Sequence, residues 1–170
     1  MTVRPATRGD LDTVIELLNG LAEYEHAREP FAPDRGPFAE ALFGVHPQAE
    51  VVLAETDADD DASESAGLAL FFAKFNVWTA KPGVWLGELF VRPQFRGQGY
   101  GRALLAEVAA VAASRGGGRL EWSVFDWNEP AAEFYKRLGA SMLDDRTTFR
   151  LTGDALTRLA GARRPPVTSG

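Results

Sequence analysis

The stretch Arg96-Gly97-Gln98-Gly99-Tyr100-Gly101-Arg102 lies between an apolar run that ends near Val91 and a helical pattern that begins near Tyr100. Its closely spaced glycines let backbone N–H groups approach an anion without interference from Cβ atoms. The start of the following helix adds aligned N–H donors and a positive partial charge. Arg96 and Arg102 would bracket the anion with positive charge, and the stretch contains no acid. These features predict a turn that binds a pyrophosphate.

Three other interpretations compete for this turn. A P-loop for nucleoside triphosphates requires Gly-Lys-Ser/Thr, which does not follow here. A dinucleotide-binding turn requires a third glycine, but Leu104 stands at that position. The dinucleotide-binding fingerprint also has an acidic residue about 20 residues after its glycines, at the end of a strand. Glu121 lies at about that distance, but it is inside the predicted strand and not at its end. A tight turn without a ligand stays open, although three glycines before a helix are costly unless they are used.

The apolar pattern around the turn predicts an alternation of strands and helices. A strand over Val84–Val91 precedes the turn, and a helix over Tyr100–Ser114 follows it. The pattern continues with a strand over Arg119–Phe125 and a helix over Glu129–Leu138. This order indicates an α/β fold.

The rest of the chain carries further signals of secondary structure. Apolar positions at helical spacing predict a helix from Leu11 to about Glu23. The other predicted elements are the strands Thr2–Pro5, Val51–Glu55, Gly67–Phe75 and Thr147–Leu151, and short helices over Phe38–Phe43 and from Asp154 onward. The tail from Arg163 to Gly170 is expected to be disordered.

Length, charge and composition exclude several classes of function. A chain of 170 residues with 45% hydrophobic content is expected to form one compact domain, over residues 1–162. Its net charge of −6 argues against a nucleic-acid partner and favours cationic small molecules. The absence of cysteine excludes a thiol nucleophile and a zinc–thiolate site. Without a signal segment or an apolar run of roughly 20 residues, the protein is expected to be cytoplasmic and to have no membrane partner.

A metal site is not expected either. Asp57, Asp59 and Asp61 have the spacing of a calcium loop, but Ala62 replaces the glycine that such a loop requires. Leu68 stands where the bidentate glutamate should be. We therefore interpret the acidic segment as a solvated loop between two strands.

The turn and its surroundings resemble the GNAT family of acetyltransferases. Arg96, Gly99 and Gly101 match the coenzyme A loop of that family, Arg/Gln-x-x-Gly-x-Gly/Ala between a strand and a helix. Further segments resemble the spermidine/spermine N-acetyltransferase group and extend over most of the chain: Arg4-Pro5-Ala6-Thr7, Tyr24-Glu25, Phe90-Val91, Asp126-Trp127-Asn128-Glu129-Pro130 and Phe134-Tyr135-Lys136-Arg137-Leu138-Gly139-Ala140. The resemblance implies a mixed, mostly antiparallel central sheet of about six or seven strands flanked by helices. It also implies acetyl-CoA as co-substrate, acetyl transfer to a primary amine of a small molecule, and a homodimer.

The resemblance further implies which residues hold acetyl-CoA. Backbone N–H groups from the strand before the turn would bind the pantetheine or the acetyl oxygen, and the turn would bind the pyrophosphate. Asn128 would be the N-cap of its helix, with or without an additional contact to coenzyme A. The implied cofactor-binding set is Leu89, Phe90, Val91, Arg96, Gly97, Gln98, Gly99, Tyr100, Gly101, Arg102, Asn128 and Tyr135.

Two residues are candidates for proton transfer. Tyr135 matches the family's general acid, and a phenol with an ordinary pKa of about 10 stays protonated at neutral pH and can donate to a leaving thiolate. Its place on an apolar helical stripe also suits core packing alone. Glu88 is the one carboxylate in an otherwise apolar strand, with Leu86 and Phe90 expected on its own face. Glu88 would accept the amine's proton or hold the ammonium group; the alternative is an exposed strand glutamate.

The substrate is less defined than the reaction. The polyamine enzymes of the resembled group carry two adjacent acids in this strand, whereas here Gly87 precedes Glu88, and a further acid is replaced near Thr147. A shorter diamine or a lysine-like amine is therefore at least as credible a substrate as a polyamine. A peptide or protein N-acetyltransferase and a non-catalytic coenzyme A binding or sensing domain are the remaining alternatives. The candidate amine-binding residues are Tyr24, Glu25, Glu88 and Asp126.

Overall fold

The computed structural model describes residues 1–57, 64–143 and 147–162. The chain forms two compact units, Met1–Ser123 and a second unit that begins at Val124. The first unit carries the sheet and the glycine-rich turn. Asp59, Asp61 and Ala62 of the acidic segment, and the tail from Arg163 onward, lie outside the described residues.

A five-stranded sheet forms the centre of the first unit, with its strands in sequence order. The strands are β1 (Thr2–Pro5), β2 (Glu50–Glu55), β3 (Ser65–Asn76), β4 (Lys81–Val91) and β5 (Leu120–Glu121). Strands β1 to β4 pair antiparallel, and β5 pairs with β4 in parallel. The prediction of a mixed, mostly antiparallel sheet is confirmed.

The part of the chain that the structure describes contains five strands, fewer than the six or seven implied by the resemblance. The predicted strand Arg119–Phe125 shortens to Leu120–Glu121, because the chain has left the sheet before it turns at Asp126. The predicted strand Thr147–Leu151 has no strand pairing. Phe149 is 91% exposed. An alternating segment with neither a paired neighbour nor a buried face has nothing to hold it as a strand.

Helices cover both faces of the sheet. α1 (Leu11–Tyr24) and α2 (Arg35–Phe43) follow β1, and α3 (Tyr100–Ser114) follows β4 with the bounds predicted from sequence. α3 contacts β2, β3 and β4. The α1 cluster, on one face of the sheet, consists of Val14, Leu17, Leu18, Leu21, Leu42, Val51, Leu53, Leu68 and Phe90. Val51, Leu53 and Leu68 pack with α1, whereas the alternate strand residues Val52, Ala54, Ala69 and Phe71 are buried outside that cluster. Successive side chains of a strand face opposite sides, so the α3 contacts with these strands are assigned to the face opposite α1.

An ion-pair network fixes the entry into α1. Both terminal nitrogens of Arg4 donate to the carboxylate of Asp10, at 2.9 and 2.8 Å, and Nη2 also donates to Glu55 at 2.8 Å. The backbone N–H of Thr7 donates to Asp10 at 2.7 Å. These donors hold the pKa of Asp10 well below its usual range. The segment that begins at Arg4 therefore ties β1, β2 and the start of α1 together.

The second unit contains α4 (Glu129–Arg137) and α5 (Gly153–Gly161). The side chain of Asn128 accepts a hydrogen bond from the Ala131 N–H at 3.3 Å and so caps α4, as predicted. Gly139 adopts a φ of 88° just after α4, a left-handed conformation that ends helices.

Candidate active site

The glycine-rich turn has a backbone geometry that suits an anion. Gly97 and Gly99 adopt φ angles of 76° and 94°, which residues with a Cβ atom rarely adopt. Gly99 is the N-cap of α3 and supplies no side chain to cap the helix. The first N–H groups of an α-helix have no intrahelical acceptor, so they are available to a ligand.

Two side chains of the turn make contacts within the protein. Tyr100 is buried and packs edge-on against Phe95, with the ring centroids 5.7 Å apart. The Nε2 of Gln98 donates to the backbone oxygen of Gln94 at 2.9 Å. The Tyr100 ring therefore anchors the start of α3, and the turn offers a ligand chiefly its backbone.

Arg96 extends toward α1. Its Nε donates to the backbone oxygen of Val91 at 3.0 Å. Its guanidinium carbon lies 4.4 Å from the ring centroid of Tyr24 and 5.9 Å from that of Phe90. The guanidinium is thus held over Tyr24, at the end of α1.

A β-bulge at Gly87 sets the direction of Glu88. Leu70 of β3 pairs with Glu88, whereas the residue after Leu70 pairs with Leu86, so Gly87 is left out of the ladder. Leu70 packs against the α1 cluster, and adjacent residues of a strand face opposite sides. Glu88 therefore shares the α1 face with Phe90, whereas Leu86 faces α3. The expectation that Leu86 lies on the face of Glu88 is wrong, because it assumed an unbroken alternation.

The second half of β4 extends beyond its pairing with β5. That pairing covers Val84 and Trp85. The edge of β4 that carries Leu89, Phe90 and Val91 therefore continues past the end of β5. A strand edge that continues past its neighbour can bind an extended ligand through backbone hydrogen bonds.

Glu88 carries a carboxyl group with an unusual proton affinity. Burial, together with the negative charge of Glu25, raises the pKa of Glu88 to about 7. Burial also raises the pKa of Glu25. Glu25 directly follows Tyr24, which packs against the α1 cluster. The structure thus brings three of the predicted amine-binding residues together on the α1 face.

A cavity of about 310 Å³ opens on the same face. Gly20 lets α1 approach β4 closely here, since a Cβ at this position would lie 2.8 Å from Cζ of Phe90. A glycine inside a helix costs about 1 kcal/mol relative to alanine, and this close approach is a physical reason to retain it. The lining includes Glu16, Gly20, Glu23 and Tyr24 from α1, and Phe90, Arg92 and Arg96 from β4 and the segment after it.

Sequence reasoning missed part of this cavity. Glu16, Gly20 and Glu23 recur at the spacing of one helix side, and a glycine inside α1 is a signal of close packing. Arg92 lies far from α1 in sequence, and the structure pairs its Nη2 with Glu16 at 3.0 Å. That pairing depends on how α1 lies across the sheet, which no local pattern encodes.

The second unit carries the remaining candidates. Tyr135 is half-buried on α4, and its ring centroid lies 5.2 Å from that of Phe134. Asn128 is buried at the start of the same helix, and Asp126 is exposed in the turn before it.

The described ranges contain neither a metal-binding cluster nor a membrane-spanning helix. In these parts of the chain, no group of three or more His, Asp or Glu side chains is arranged to hold a metal ion. No helix there has the length and apolar character needed to cross a membrane.

Known proteins with similar sequences are acyltransferases. Residues 11–140 match the Acetyltransferase (GNAT) family. A thialysine N-epsilon-acetyltransferase of Sus scrofa is 30% identical over 165 residues, which cover 94% of this chain and 96% of the relative. An L-ornithine N5-acetyltransferase of Arabidopsis thaliana is 43% identical over 91 residues, which cover 54% of this chain and 40% of the relative. A spermidine/spermine N(1)-acetyltransferase-like protein of Homo sapiens is 22% identical over 151 residues, which cover 88% of this chain and 22% of the relative.

Solved structures share the fold. An integron cassette protein from the mobile metagenome of V. cholerae superposes with a TM-score of 0.75, at 24% identity, over 94% of this chain and 96% of the other. A metagenomic aminoglycoside acetyltransferase superposes with a TM-score of 0.74, at 16% identity, over 90% and 96% of the two chains.

Proposed function

This chain belongs to the GNAT family of N-acetyltransferases, and we propose that it moves the acetyl group of acetyl-CoA onto a primary amine of a small molecule. The environment of the Glu88 carboxyl group is the observation that carries this proposal. A half-buried carboxyl group with a pKa of about 7 stands beside a second carboxylate, at the strand that leads into the glycine-rich turn. Such a site attracts an ammonium group and can take its proton at neutral pH.

Acetyl-CoA would bind along β4 and across the turn. The backbone N–H groups of Gly97, Gly99 and Gly101, with the positive end of α3, would hold the pyrophosphate. Arg102 would add charge near it. The edge of β4 beyond its pairing with β5 would bind the pantetheine and orient the thioester.

The proposed reaction is a direct transfer. The amine first loses a proton to Glu88, directly or through water, and its nitrogen then attacks the thioester carbonyl. The C–N bond forms and the C–S bond breaks, and the nitrogen releases its second proton to solvent as the amide forms. The departing thiolate takes a proton from a general acid, which regains one from solvent. Backbone N–H groups of β4 would stabilise the negative charge that develops on the carbonyl oxygen.

Tyr135 is the proposed donor of the proton that the thiolate takes. Its support is the sequence, since Asn128-Glu129-Pro130 followed by Phe134-Tyr135 matches the family motif that carries this role. Its phenol would be protonated at neutral pH, because an ordinary tyrosine has a pKa of about 10. Asn128 would position the start of α4 and contact coenzyme A as well.

The proposed acceptors are small molecules with a primary amine, such as diamines, polyamines or lysine-like amines. Two of the relatives named above are a thialysine N-epsilon-acetyltransferase and an L-ornithine N5-acetyltransferase, and the reactive amine of each of these substrates ends a flexible side chain. Tyr24 and Glu25 would add ammonium-binding groups to Glu88. The sequence also proposes Asp126 as an ammonium-binding residue. The carboxylates of Glu88 and Glu25 suit a cationic substrate.

A homodimer is part of the proposal. The hairpin between β3 and β4 presents three exposed apolar side chains, with Phe75 63%, Val77 70% and Trp78 90% exposed. The Trp78 N–H donates to Asn76 Oδ1 at 3.0 Å, which defines the turn that presents the indole. Clustered exposed apolar groups mark interaction surfaces, and a two-fold axis would cover this one with its own copy.

A substrate screen tests the function. Release of coenzyme A thiol from acetyl-CoA would be followed with diamines, polyamines, lysine analogues and lysine-containing peptides. We expect turnover with at least one small amine at a higher kcat/KM than with any peptide. Turnover confined to peptides would favour a protein-modifying enzyme. Tight acetyl-CoA binding without turnover would favour a coenzyme A sensing domain.

A further inference from the structure

Asn19 connects α1 to the segment that follows this helix. Its Nδ2 donates to the Phe31 backbone oxygen at 3.0 Å, and its Oδ1 accepts from the Phe31 N–H at 2.9 Å. The same Nδ2 also donates to the Ile15 backbone oxygen at 3.2 Å, one turn earlier in α1. One side-chain amide thus satisfies both backbone groups of Phe31, as a neighbouring strand would. The chain is therefore fixed to α1 at Phe31.

The same segment is fixed at its other end, where α1 stops. The His26 N–H donates to the Glu23 oxygen at 3.1 Å, and the Ala27 N–H donates to the Ala22 oxygen at 2.9 Å. These two bonds, with a φ of 55° at His26, form a Schellman motif, which usually has glycine at the left-handed position. A residue with a Cβ atom keeps that conformation only where the surrounding structure holds it. The end of α1 therefore depends on the contacts of the segment that follows.

An exposed loop joins these two fixed points. Residues 26–30 are exposed, whereas Phe31 is half-buried. The Phe31 ring packs edge-on against Phe38 of α2, with the ring centroids 5.4 Å apart, and both rings pack against the α1 cluster. An exposed loop with few apolar contacts opens at a low free-energy cost once one of its anchors is lost. Without the Asn19 bonds to Phe31, the loop would open together with the end of α1.

Glu25 lies at that end of α1, as its C-cap residue. Burial and the negative charge of Glu25 together raise the pKa of Glu88 to about 7. The other charged groups at this end of α1 are Glu23 and Arg96, which line the cavity beside Tyr24. The interaction between two charges falls with their separation and with the access of water between them. The charge that acts on Glu88 therefore depends on where the end of α1 is held.

We propose that Asn19 is a positioning residue for the acceptor site, because it holds Phe31 against α1 and so keeps the carboxylate of Glu25 beside Glu88. Asn19 acts through Glu25 and not on the reactants. Glu25 would share the approaching ammonium group with Glu88, and its charge helps to set the pH at which Glu88 becomes a base. This inference rests on the proposed function and adds to it a residue outside the predicted site.

The test releases Phe31 and follows Glu88. Asn19→Leu keeps the approximate size of the side chain and removes both bonds to Phe31, so the Phe31 N–H should exchange with solvent about tenfold faster or more. The titration of the Glu88 carboxyl group, followed by NMR in the free protein, should shift to lower pH, because the charge of Glu25 is held less closely. With the best amine, the low-pH limb of kcat/KM should shift in the same direction. KM for the amine should rise about 3- to 10-fold, with an unchanged KM for acetyl-CoA.

A double variant tests whether Asn19 acts through Glu25. Glu25→Gln alone should move the Glu88 titration to lower pH, because it removes the neighbouring negative charge. In the Glu25→Gln background, Asn19→Leu should produce no further shift, since the charge that Asn19 positions is already gone.

Asp34→Ala is the matched control for a loss of stability in the same connection. It removes the cap of α2, in which the Asp34 side chain accepts from the Gly36 N–H at 3.2 Å, and leaves the Asn19 bonds in place. Asp34→Ala should lower Tm by about 2 to 4 °C without changing the Glu88 titration or KM for the amine. Asn19→Ala removes the same bonds with a smaller side chain and replaces Asn19→Leu if that variant is unfolded at the working temperature.

Each outcome decides one of the two claims. Unchanged exchange of the Phe31 N–H in a folded Asn19 variant, or faster exchange with an unchanged Glu88 titration, would overturn the inference. An equal shift of that titration by Asn19→Leu with and without Glu25→Gln would also overturn it, because Asn19 would then not act through Glu25. The titration needs no substrate, so a parent enzyme that acetylates no small amine would overturn the proposed function and leave the placement of Glu25 by Asn19 to be decided by the titration.

Discussion

Glu88 is the residue on which the proposed chemistry depends most. Its folded-state pKa of about 7 implies that kcat/KM for an amine rises with pH through that value, because the deprotonated form is the base. Glu88→Gln should lower kcat about 100-fold or more, the usual contribution of a positioned base, and remove the limb near pH 7. The pH dependence of kcat/KM, measured on the parent and the variant with the best amine, checks this.

The same shift predicts an effect on stability. Folding raises the pKa of Glu88 above its ordinary 4.5. The favourable contribution of Glu88 to the free energy of unfolding is therefore fully present below pH 4.5 and is lost as pH rises through 7. The neutral amide of Glu88→Gln should therefore raise Tm relative to the parent at pH 8, with the difference disappearing toward pH 5. A lower Tm for the variant at pH 8 would mean that the charged carboxylate is stabilised in the fold.

Tyr135 separates an enzyme from a binding domain. Tyr135→Phe removes one hydroxyl and keeps the ring beside Phe134, so folding and acetyl-CoA affinity should change little. Loss of a proton donor should lower kcat about 10²- to 10⁴-fold, and this is measured by steady-state thiol release beside a thermal melt. An unchanged kcat, with chemistry shown to limit turnover, would leave Tyr135 as a packing residue.

Single residues also show where sequence reasoning ends. A lone carboxylate in an apolar strand was enough to select Glu88 as a candidate, because burying an acid needs a reason. Its face was assigned wrongly with respect to Leu86, because Gly87 forms a bulge that shifts the alternation by one residue. The stacking of Arg96 on Tyr24 joins residues far apart in the chain, and no local pattern could have predicted it.

At the level of elements, the turn before α3 gives the sharpest prediction. Gly99→Val places a branched side chain at a φ of 94° and blocks the approach of a pyrophosphate to the helix N-terminus. Acetyl-CoA affinity measured by calorimetry should fall about tenfold or more, consistent with the loss of one charge-assisted contact.

A matched control removes the effect of backbone strain. Gly116 has a φ of 72° just after α3, and no atom would lie within 4 Å of a Cβ there. Gly116→Val should cost a similar strain, about 1 to 2 kcal/mol, without loss of acetyl-CoA affinity. Equal affinity of the folded Gly99→Val variant and the parent would place the pyrophosphate elsewhere.

Elements differed in how well their sequence defined them. α3 was predicted with its observed bounds, Tyr100–Ser114, because a glycine turn starts it and its apolar stripe is regular. The predicted strand Thr147–Leu151 was wrong, because alternation of apolar residues does not supply a neighbouring strand. The predicted strand Arg119–Phe125 is also shorter than expected. Its apolar residues do not define how far it pairs with β4, and the pairing covers only Leu120 and Glu121.

At the level of the whole molecule, the exposed hairpin predicts self-association. Light scattering at working concentration should give twice the chain mass of 18.5 kDa. Trp78→Ser should shift that mass toward one chain, because it removes the most exposed ring of the hairpin. Val45→Ser is the control, since Val45 is equally exposed, at 90%, outside the hairpin. A parent mass of one chain would contradict the dimer.

Amine-dependent acetyl transfer is the central claim, and one product measurement tests it most directly. The protein would be incubated with acetyl-CoA that carries an isotopic label in the acetyl group, with and without ornithine or putrescine. Mass spectrometry would quantify the labelled acetyl-amine, and a thiol assay of the same sample would quantify free coenzyme A. We predict equal amounts of the two products, formed only when the amine is present and strongly reduced in Glu88→Gln. Bound acetyl-CoA that yields no acetylated amine with any small acceptor would contradict the account.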